Sequence, residues 1–157
     1  MNPLIKHLEM KKDLTRVEMP GTEVFYNWLL EKGKLLKERD KKLEKRILTF
    51  DLVSIEPRHC YDNCKFNFDI IKNQISEIEY YEGYYLIGDT PLRHGFLVKK
   101  NKIIDITARK FDIRSSDYFG IKIPEYMIYP LFLRDKKRSY TEPCLYKYWM
   151  KLKLKGE

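Results

Sequence analysis

The chain has 157 residues and a mass of 19.1 kDa, the usual size of a single domain. Its 43% hydrophobic and 34% charged residues are a globular composition, which excludes a disordered tail. No apolar run reaches the roughly 18 residues that a membrane-spanning helix needs, so we expect no membrane insertion. The N-terminus lacks the apolar core of a signal peptide. With only three cysteines and no export signal, the sequence favours a reducing, cytoplasmic location.

The net charge of +8 is typical of a protein that binds nucleic acid, but the charge is unevenly distributed along the chain. Residues 1–58 carry 13 basic and 10 acidic side chains, residues 59–133 carry 10 of each, and residues 134–157 carry 8 basic and 3 acidic. The excess therefore belongs to the two ends. We expect any binding of nucleic acid or of an acidic protein to use these basic ends.

The first part of the chain is predicted to be helical. After Pro20 and Gly21 a one-face apolar spacing predicts a helix over residues 22–48, or two helices joined at Gly33. The apolar positions are Phe25, Leu29, Leu36, Leu43 and Ile47. A further helix is predicted from His59, with Phe66, Ile70 and Ile71 on its buried side.

The middle of the chain is predicted to form antiparallel strands. Aromatic and β-branched residues over 78–87 predict a strand. Residues 93–99 and 103–107 predict two short strands that form a hairpin. A short segment rich in aromatic residues follows at 118–121. Helices followed by a run of strands indicate an α+β fold.

Cys60, His94 and Asp105 are the residue types of a nucleophile, a base and an orienting acid. Cys60 falls at the predicted start of a helix, where free backbone N–H groups and the helix dipole favour a thiolate. The same N–H groups can receive an oxyanion. This order of a cysteine on a helix start, a histidine on a strand and an aspartate on the next strand predicts nucleophilic catalysis.

The turn of the hairpin decides whether His94 and Asp105 can meet. A two-residue loop, Lys99-Lys100 or Lys100-Asn101, puts both side chains on one face of the sheet. A three-residue loop puts them on opposite faces. Asn101 suits a two-residue turn.

Five motifs in order resemble a family of small, mostly uncharacterised phage and bacterial proteins. In this chain they are Cys60-Tyr61-Asp62-Asn63, Tyr80-Tyr81-Glu82-Gly83-Tyr84, His94-Gly95-Phe96-Leu97-Val98, Ile103-Ile104-Asp105-Ile106-Thr107 and Tyr118-Phe119-Gly120-Ile121. The layout of that family is similar to the papain-like cysteine hydrolases, which include transglutaminases and cell-wall peptidases. The resemblance covers residues 58–124. It departs from the family pattern at Cys64, Gly95 and Ile106, none of which is a member of the triad.

The resemblance implies a papain-like fold, with the cysteine helix packed on an antiparallel sheet. It implies Cys60 as nucleophile, His94 as general base and then acid, and Asp105 as the orienting residue. Asn63 and Glu82 become candidate substrate-binding residues, Glu82 for a substrate cation or an arginine. The chain would then be one domain, 1–157, with a helical N-terminal extension (1–57), a papain-like core (58–133) and a basic C-terminal segment (134–157). A viral gene would place the protein in the host cytoplasm.

The predicted activity is that of a thiol hydrolase or acyl transferase acting on an amide, ester or thioester. The alternative is a non-catalytic basic module that binds nucleic acid or an acidic protein through Tyr and Trp interleaved with Lys near the C-terminus. Cys64, one helical turn from Cys60, is a possible resolving thiol. His59, Cys60 and Cys64 could together suggest zinc, but they lack a second ligand pair, so we expect no metal. Phosphate-binding glycine motifs are absent from the sequence, so no cofactor is expected.

Overall fold

The computed structural model describes residues 1–19, 21–128 and 143–157. Mixed helices and strands make up this part of the chain, which confirms the predicted α+β class. The elements are α1 (Pro3–Glu18), α2 (Glu23–Lys32), β1 (Lys34–Leu36), α3 (Lys41–Ile47), α4 (Cys60–Gln74), β2 (Glu79–Ile87), β3 (Thr90–Lys99), β4 (Lys102–Ile104), α5 (Ile106–Lys110), β5 (Ser115–Lys122), a 3₁₀ turn (Glu125–Met127) and α6 (Leu145–Leu154).

The helix predicted over residues 22–48 is wrong in its middle. The chain leaves α2 at Lys32, and β1 then pairs with β5, with Leu36 opposite Tyr118. Gly33 allows this close approach, since a Cβ atom there would lie 2.3 Å from the Phe119 ring. Pairing with a neighbouring strand has thus overridden a helical apolar period that runs through Leu36.

Helix α4 begins at Cys60, close to the predicted His59, but its buried face differs from the predicted one. Phe66 is 51% exposed, whereas Phe68 is fully buried. The buried apolar positions Cys64, Phe68 and Ile71 follow spacings of four and three, which is one helical stripe. Phe66 lies off that stripe by half a turn, so its assignment to the core was wrong.

The five strands are antiparallel in the order β1-β5-β2-β3-β4. In the β3–β4 hairpin, Leu97 lies opposite Ile104 and Lys99 opposite Lys102. Lys100 and Asn101 form the loop, and both have positive φ, as a tight two-residue hairpin turn requires. The two-residue turn is therefore confirmed, and His94 and Asp105 share a face.

The second arm of this hairpin is shorter than predicted. Strand β4 ends at Ile104, and Ile106 and Thr107 belong to helix α5 instead. Asp105 is the N-cap of α5, where its side chain accepts the backbone N–H of Ala108 at 2.9 Å. An aspartate that satisfies a helix start in this way stabilises the helix over a longer strand.

Two apolar clusters lie on opposite faces of the sheet. The larger joins the helices to the sheet and includes Leu4, Leu8, Phe68 and Trp149. The smaller consists of Leu36, Tyr81, Tyr85, Phe96, Val98, Ile103 and Tyr118. Residues 1–57 supply both β1 and buried core side chains, so this segment is integral to the packing and does not stand apart from residues 58–128.

The segment that follows β1 connects the two edges of the sheet. Beyond β1 at one edge, Ile103 of the opposite edge strand donates its N–H to Glu38 O, and Asp40 donates to Ile103 O, both at 2.8 Å. This bridge holds Arg39 beside the end of β4. The start of the predicted basic segment, 134–142, lies outside the described residues. Within the described ranges, the helices are too short or too polar to cross a bilayer.

Candidate functional site

His94 and Asp105 form a buried pair at the end of the hairpin. The Nε2 atom of His94 lies 2.7 Å from Oδ2 of Asp105, and both side chains are almost fully buried. The Tyr85 ring stacks on the imidazole at a centroid distance of 3.8 Å and an interplanar angle of 7°. The imidazole is therefore held in orientation by one hydrogen bond and one ring face.

The pair favours an imidazolium facing a carboxylate. Burial alone would lower the pKa of His94, but the charge and hydrogen bond of Asp105 outweigh it, with a further contribution from Cys60, and raise the pKa to about 9. Burial likewise opposes the charge on Asp105, but His94 and the donors around the carboxylate hold its pKa below the usual value. Each charge stabilises the other.

Cys60 is the first residue of α4 and is half-buried. It lies close enough to His94 to contribute to the raised pKa of that imidazole. Because Nε2 of His94 is directed at Asp105, Nδ1 is the ring nitrogen left for the cysteine. Cys60 and Asp105, two of the three predicted residues, therefore both lie near the third, His94.

The start of α4 also has free hydrogen-bond donors. The first N–H groups of any helix lack intrahelical acceptors, and the N-cap residue His59 does not cap them with its side chain. The side chain of His59 instead lies 3.0 Å from the carboxylate of Asp62. The backbone N–H groups next to Cys60 are therefore available to an oxyanion.

Gly95 sets how closely the start of α4 approaches β3. A Cβ atom at this position would lie 2.8 Å from Cδ1 of Tyr61 and 3.0 Å from the hydroxyl of Tyr80. The glycine thus allows the residue after Cys60 to pack directly on the strand that carries His94. Gly95 therefore allows the start of α4, and with it Cys60, to lie close to β3.

The other two cysteines have environments that suppress reactivity. Cys64 is buried, its thiol donates to the Gly95 carbonyl at 3.5 Å, and burial raises its pKa. Burial and the nearby Glu82 carboxylate raise the pKa of Cys144 to about 11. Thiols of this kind are inert compared with a partly exposed thiol near an imidazolium. Cys60, which is half-buried, is therefore the nucleophile candidate of the three.

Glu82 lies opposite Gly95 in the β2–β3 pair, and its carboxylate holds the start of the C-terminal helix. Its carboxylate accepts the backbone N–H groups of Cys144, at 2.6 Å to Oε2, and of Leu145 at 2.7 Å. The Tyr80 hydroxyl donates to it at 2.6 Å, and the buried ammonium of Lys65 lies 4.0 Å away. Its predicted substrate contact would have to compete with these protein partners, although the same residue also lines the cavity described below.

Asn63 has a structural position. Both of its amide protons are used, one by the Glu56 carbonyl at 2.8 Å and one by the Thr107 hydroxyl at 2.9 Å. Its carbonyl oxygen accepts the Glu56 N–H at 2.9 Å. The side chain ties the loop before α4 to helix α5, which carries Asp105 at its start. Both donors of the Asn63 side chain are thus used within the protein, which does not support its predicted role as a substrate ligand.

Three polar residues around Asp105 were not predicted from the sequence. Tyr118 donates to Oδ2 of Asp105 at 2.7 Å. Glu44 accepts the Asp105 backbone N–H at 2.9 Å, and Arg39 forks onto Glu44 at 2.9 and 2.8 Å. The only sequence signal was Tyr118, which begins one of the family motifs. Arg39 and Glu44 lie in a segment that was predicted to be a charged helix, where no pattern distinguishes them from the other charged residues.

A cavity of about 190 Å³ lies beside the start of α4. Tyr61, which follows Cys60, and Arg93, which precedes His94, are both in its wall. The rest of the wall is mainly aromatic, with Phe25, Tyr26, Tyr84 and Tyr146. Neither Cys60 nor His94 is in this wall, and the cavity is smaller than the pockets that usually hold drug-sized ligands.

The metal alternative finds little support in the geometry. His59 pairs with Asp62, and Cys64 is directed at a backbone carbonyl. In the part of the chain that the structure covers, no three potential metal ligands of the His, Cys, Asp or Glu type gather in one place.

The basic C-terminal helix is only partly available to a nucleic-acid partner. Lys147, Lys151, Lys153 and Lys155 are exposed. Trp149, in contrast, is only 6% exposed and packs edge-on against Phe25 at 5.5 Å, so it cannot stack on a base. The lysines and Tyr146, which is 53% exposed, are accessible on this helix, whereas the tryptophan is not.

No protein-family model, curated protein or solved structure matches this chain. The resemblance to papain-like hydrolases therefore rests on the sequence motifs alone.

Proposed function

We propose that this protein is a papain-like Cys-His-Asp thiol hydrolase or acyl transferase. The observation that carries the proposal is the buried His94–Asp105 pair at 2.7 Å, with Cys60 near His94 at the start of α4. A histidine oriented by a carboxylate and placed near a thiol is the arrangement that nucleophilic cysteine chemistry requires.

In the proposed reaction, the Cys60 thiolate attacks the carbonyl carbon of an amide, ester or thioester. The carbonyl π electrons move to oxygen, and the N–H groups at the start of α4 stabilise the resulting oxyanion. As the carbonyl re-forms, the carbon–leaving-group bond breaks, and the proton on His94 passes to the departing amine, alcohol or thiol. A thioester to Cys60 is left.

The second half of the reaction returns the enzyme to its first state. Water or an amine attacks the thioester, and the neutral His94 takes its proton. The carbon–sulfur bond breaks and leaves the thiolate beside the imidazolium. Asp105 keeps its negative charge throughout and stabilises the imidazolium at each stage.

The test is acylation by an activated ester, 4-nitrophenyl acetate, followed by peptide mass spectrometry. We expect a burst of 4-nitrophenol and an acetyl adduct on the peptide that contains Cys60. The burst should disappear in Cys60→Ala and slow by roughly 10² to 10⁴ in His94→Ala. Cys144→Ala is the matched control, because it removes a thiol of the same chain that is buried.

Two results would contradict the proposal. One is an adduct distributed over all three cysteines with no burst. The other is a Cys60 adduct that forms at the same rate with and without His94, since a thiol without a base would then account for it.

A second candidate function, binding of an acidic partner, is supported by the exposed lysines of α6 and the residues after it. If Lys147, Lys151 and Lys153 displace counterions from a nucleic acid, the logarithm of the affinity should fall linearly with the logarithm of salt concentration. Oligonucleotide binding measured by fluorescence anisotropy checks this. No binding at about 50 mM salt, where such contacts are strong, excludes it.

A further inference from the structure

Asp105 is the end point of a chain of hydrogen bonds that begins at Arg39. The same carboxylate oxygen, Oδ2, lies 2.7 Å from the His94 ring nitrogen and 2.7 Å from the Tyr118 hydroxyl. The Tyr118 hydroxyl is also hydrogen-bonded to Ser115, and the Ser115 Oγ atom lies 3.3 Å from Nη1 of Arg39. Tyr118 is fully buried, so these protein groups are its environment.

The chemistry of the two ends fixes the direction of every bond in this chain. A guanidinium has only donors, and an ionised carboxylate has only acceptors. Arg39 therefore donates to Ser115, Ser115 donates to Tyr118, and Tyr118 donates to Asp105. Burial and the Asp105 charge raise the pKa of Tyr118 far above its usual value, which keeps its proton in place as the donor.

Arg39 reaches Asp105 by a second route as well. Its guanidinium forks onto both oxygens of Glu44 at 2.9 and 2.8 Å, and Oε1 of Glu44 accepts the Asp105 backbone N–H at 2.9 Å. Glu44 is fully buried. The side chain and the backbone of Asp105 are thus anchored separately to one arginine.

Charged and titratable groups surround the His94–Asp105 pair from several elements. Cys60 and Cys64 face it from α4, Tyr85 from β2, Tyr118 from β5, Glu44 from α3, and Arg39 from the segment before α3. Of these, Tyr118 alone donates to the oxygen that His94 uses.

We propose that Tyr118 is a positioning residue that shares Oδ2 of Asp105 with His94, and so both orients the carboxylate and limits how strongly it stabilises the imidazolium. The positive end of the Tyr118 O–H dipole points at the same oxygen as the imidazolium and offsets part of its charge. Removing that hydroxyl leaves more of the carboxylate charge to His94. His94 is the general base of the proposed function, so this role of Tyr118 deepens that function. The hydrogen bonds that support it do not depend on whether Cys60 is catalytic.

The test is an NMR titration of His94 in labelled protein. The chain has three histidines, so His94→Gln identifies the resonance of interest. In Tyr118→Phe the midpoint should move upward by about 0.5 to 1 pH unit, the equivalent of one net hydrogen bond. Ser115→Ala weakens the same chain from further away, and should move the midpoint upward by less.

The matched control is Tyr81→Phe. Tyr81 belongs to the same apolar cluster and is similarly buried, but Asp105 is not among its partners. Its substitution should leave the midpoint unchanged. A midpoint that stays fixed or moves downward in Tyr118→Phe overturns the proposal, and so does an equal movement in the control. If Tyr118→Phe does not fold, a fixed or lowered midpoint in Ser115→Ala overturns it.

A second readout separates this inference from the proposed function. The rate of Cys60 alkylation by iodoacetamide is measured over the same pH range. If the upper end of that profile moves with the His94 midpoint, both proposals hold. If the midpoint moves while the alkylation profile stays in place, Tyr118 still tunes the pair but Cys60 does not depend on His94, which removes the proposed function only.

Discussion

Nε2 of His94 lies 2.7 Å from Oδ2 of Asp105, although eleven residues separate them in the chain. The distance depends on the two-residue turn at Lys100 and Asn101, which puts both side chains on one face of the sheet. It depends equally on the place where β4 ends, since Asp105 is an N-cap and not a strand residue. The Asp105 carboxylate therefore accepts hydrogen bonds both from the start of α5 and from the His94 imidazole.

The pH dependence of Cys60 alkylation should reveal the imidazolium. With the pKa of His94 raised to about 9, the imidazolium persists at pH 6 and favours the thiolate. We expect His94→Ala to alkylate at least about tenfold more slowly at pH 6, and to approach the wild-type rate at pH 10, where any ordinary thiol is ionised. Iodoacetamide kinetics with peptide mapping measure both rates.

The convergence at high pH is itself the control for access to the sulfur. A variant that stays slow at pH 10 has lost accessibility and not activation. Equal rates at pH 6 would mean that His94 does not act on Cys60.

Asp105→Ala and Asp105→Asn should separate the structural and electrostatic roles of this residue. The carboxylate accepts from His94, Ala108 and Tyr118, so alanine leaves buried donors unpaired. We expect alanine to lower the free energy of unfolding by about 3–5 kcal/mol. Asparagine can still cap α5, so its cost should be smaller, but it lacks the charge that stabilises the imidazolium.

Chemical denaturation measures the first effect, and alkylation of Cys60 at pH 6 measures the second. Both variants should slow alkylation, since neither holds a negative charge beside His94. An Asp105→Asn variant with the wild-type alkylation rate would show that orientation alone is sufficient.

The buried pair should also make stability depend on pH. The pKa of His94 is raised from 6.5 to about 9, so protonation favours the folded state. Its contribution is complete below about pH 6.5 and is lost as the pH rises through 9. The pKa of Asp105 is lowered from 3.8, so its contribution is present above that value and is lost as the pH falls through the lower, folded-state pKa.

The wild type should therefore exceed His94→Gln in stability most clearly between about pH 4 and 6.5, with the difference shrinking by up to about 3 kcal/mol towards pH 9 and above. Urea denaturation of both proteins across that range provides the measurement. A difference that grows with pH would contradict the assignment of an imidazolium.

The sequence was sufficient to predict that Cys60 lies at a helix start and that His94 and Asp105 share a face of the sheet, because both features have local signals. Cys60 begins an amphipathic segment, and Asn101 suits the turn that aligns His94 with Asp105. The hydrogen-bond network that supports Asp105 could not be predicted from the sequence, for a physical reason. Glu44 and Arg39 approach Asp105 because residues 38–40 bridge the far edge of the sheet, and long-range pairing of that kind leaves no periodic pattern in the chain.

Gly83 and Gly95 both allow neighbouring segments to approach their Cα atoms closely, but the neighbours differ in kind. A Cβ atom on Gly83 would lie 2.0 Å from the Phe119 carbonyl oxygen and 2.5 Å from the Gly120 Cα. Backbone atoms in the middle of a sheet cannot move aside, so we expect Gly83→Ala to lower the free energy of unfolding by about 3 kcal/mol or more.

Gly95→Ala should act on the site more than on the fold. Its Cβ would meet the side chains of Tyr61 and Tyr80 at 2.8 and 3.0 Å, and these can shift at a cost of about 1–3 kcal/mol. Displacing Tyr61 moves the start of α4, so alkylation of Cys60 at pH 6 should slow although the protein stays folded. Unfolding curves and alkylation rates for the two variants check the contrast. If Gly95→Ala leaves the Cys60 rate unchanged, the close packing of Tyr61 on β3 does not position the nucleophile.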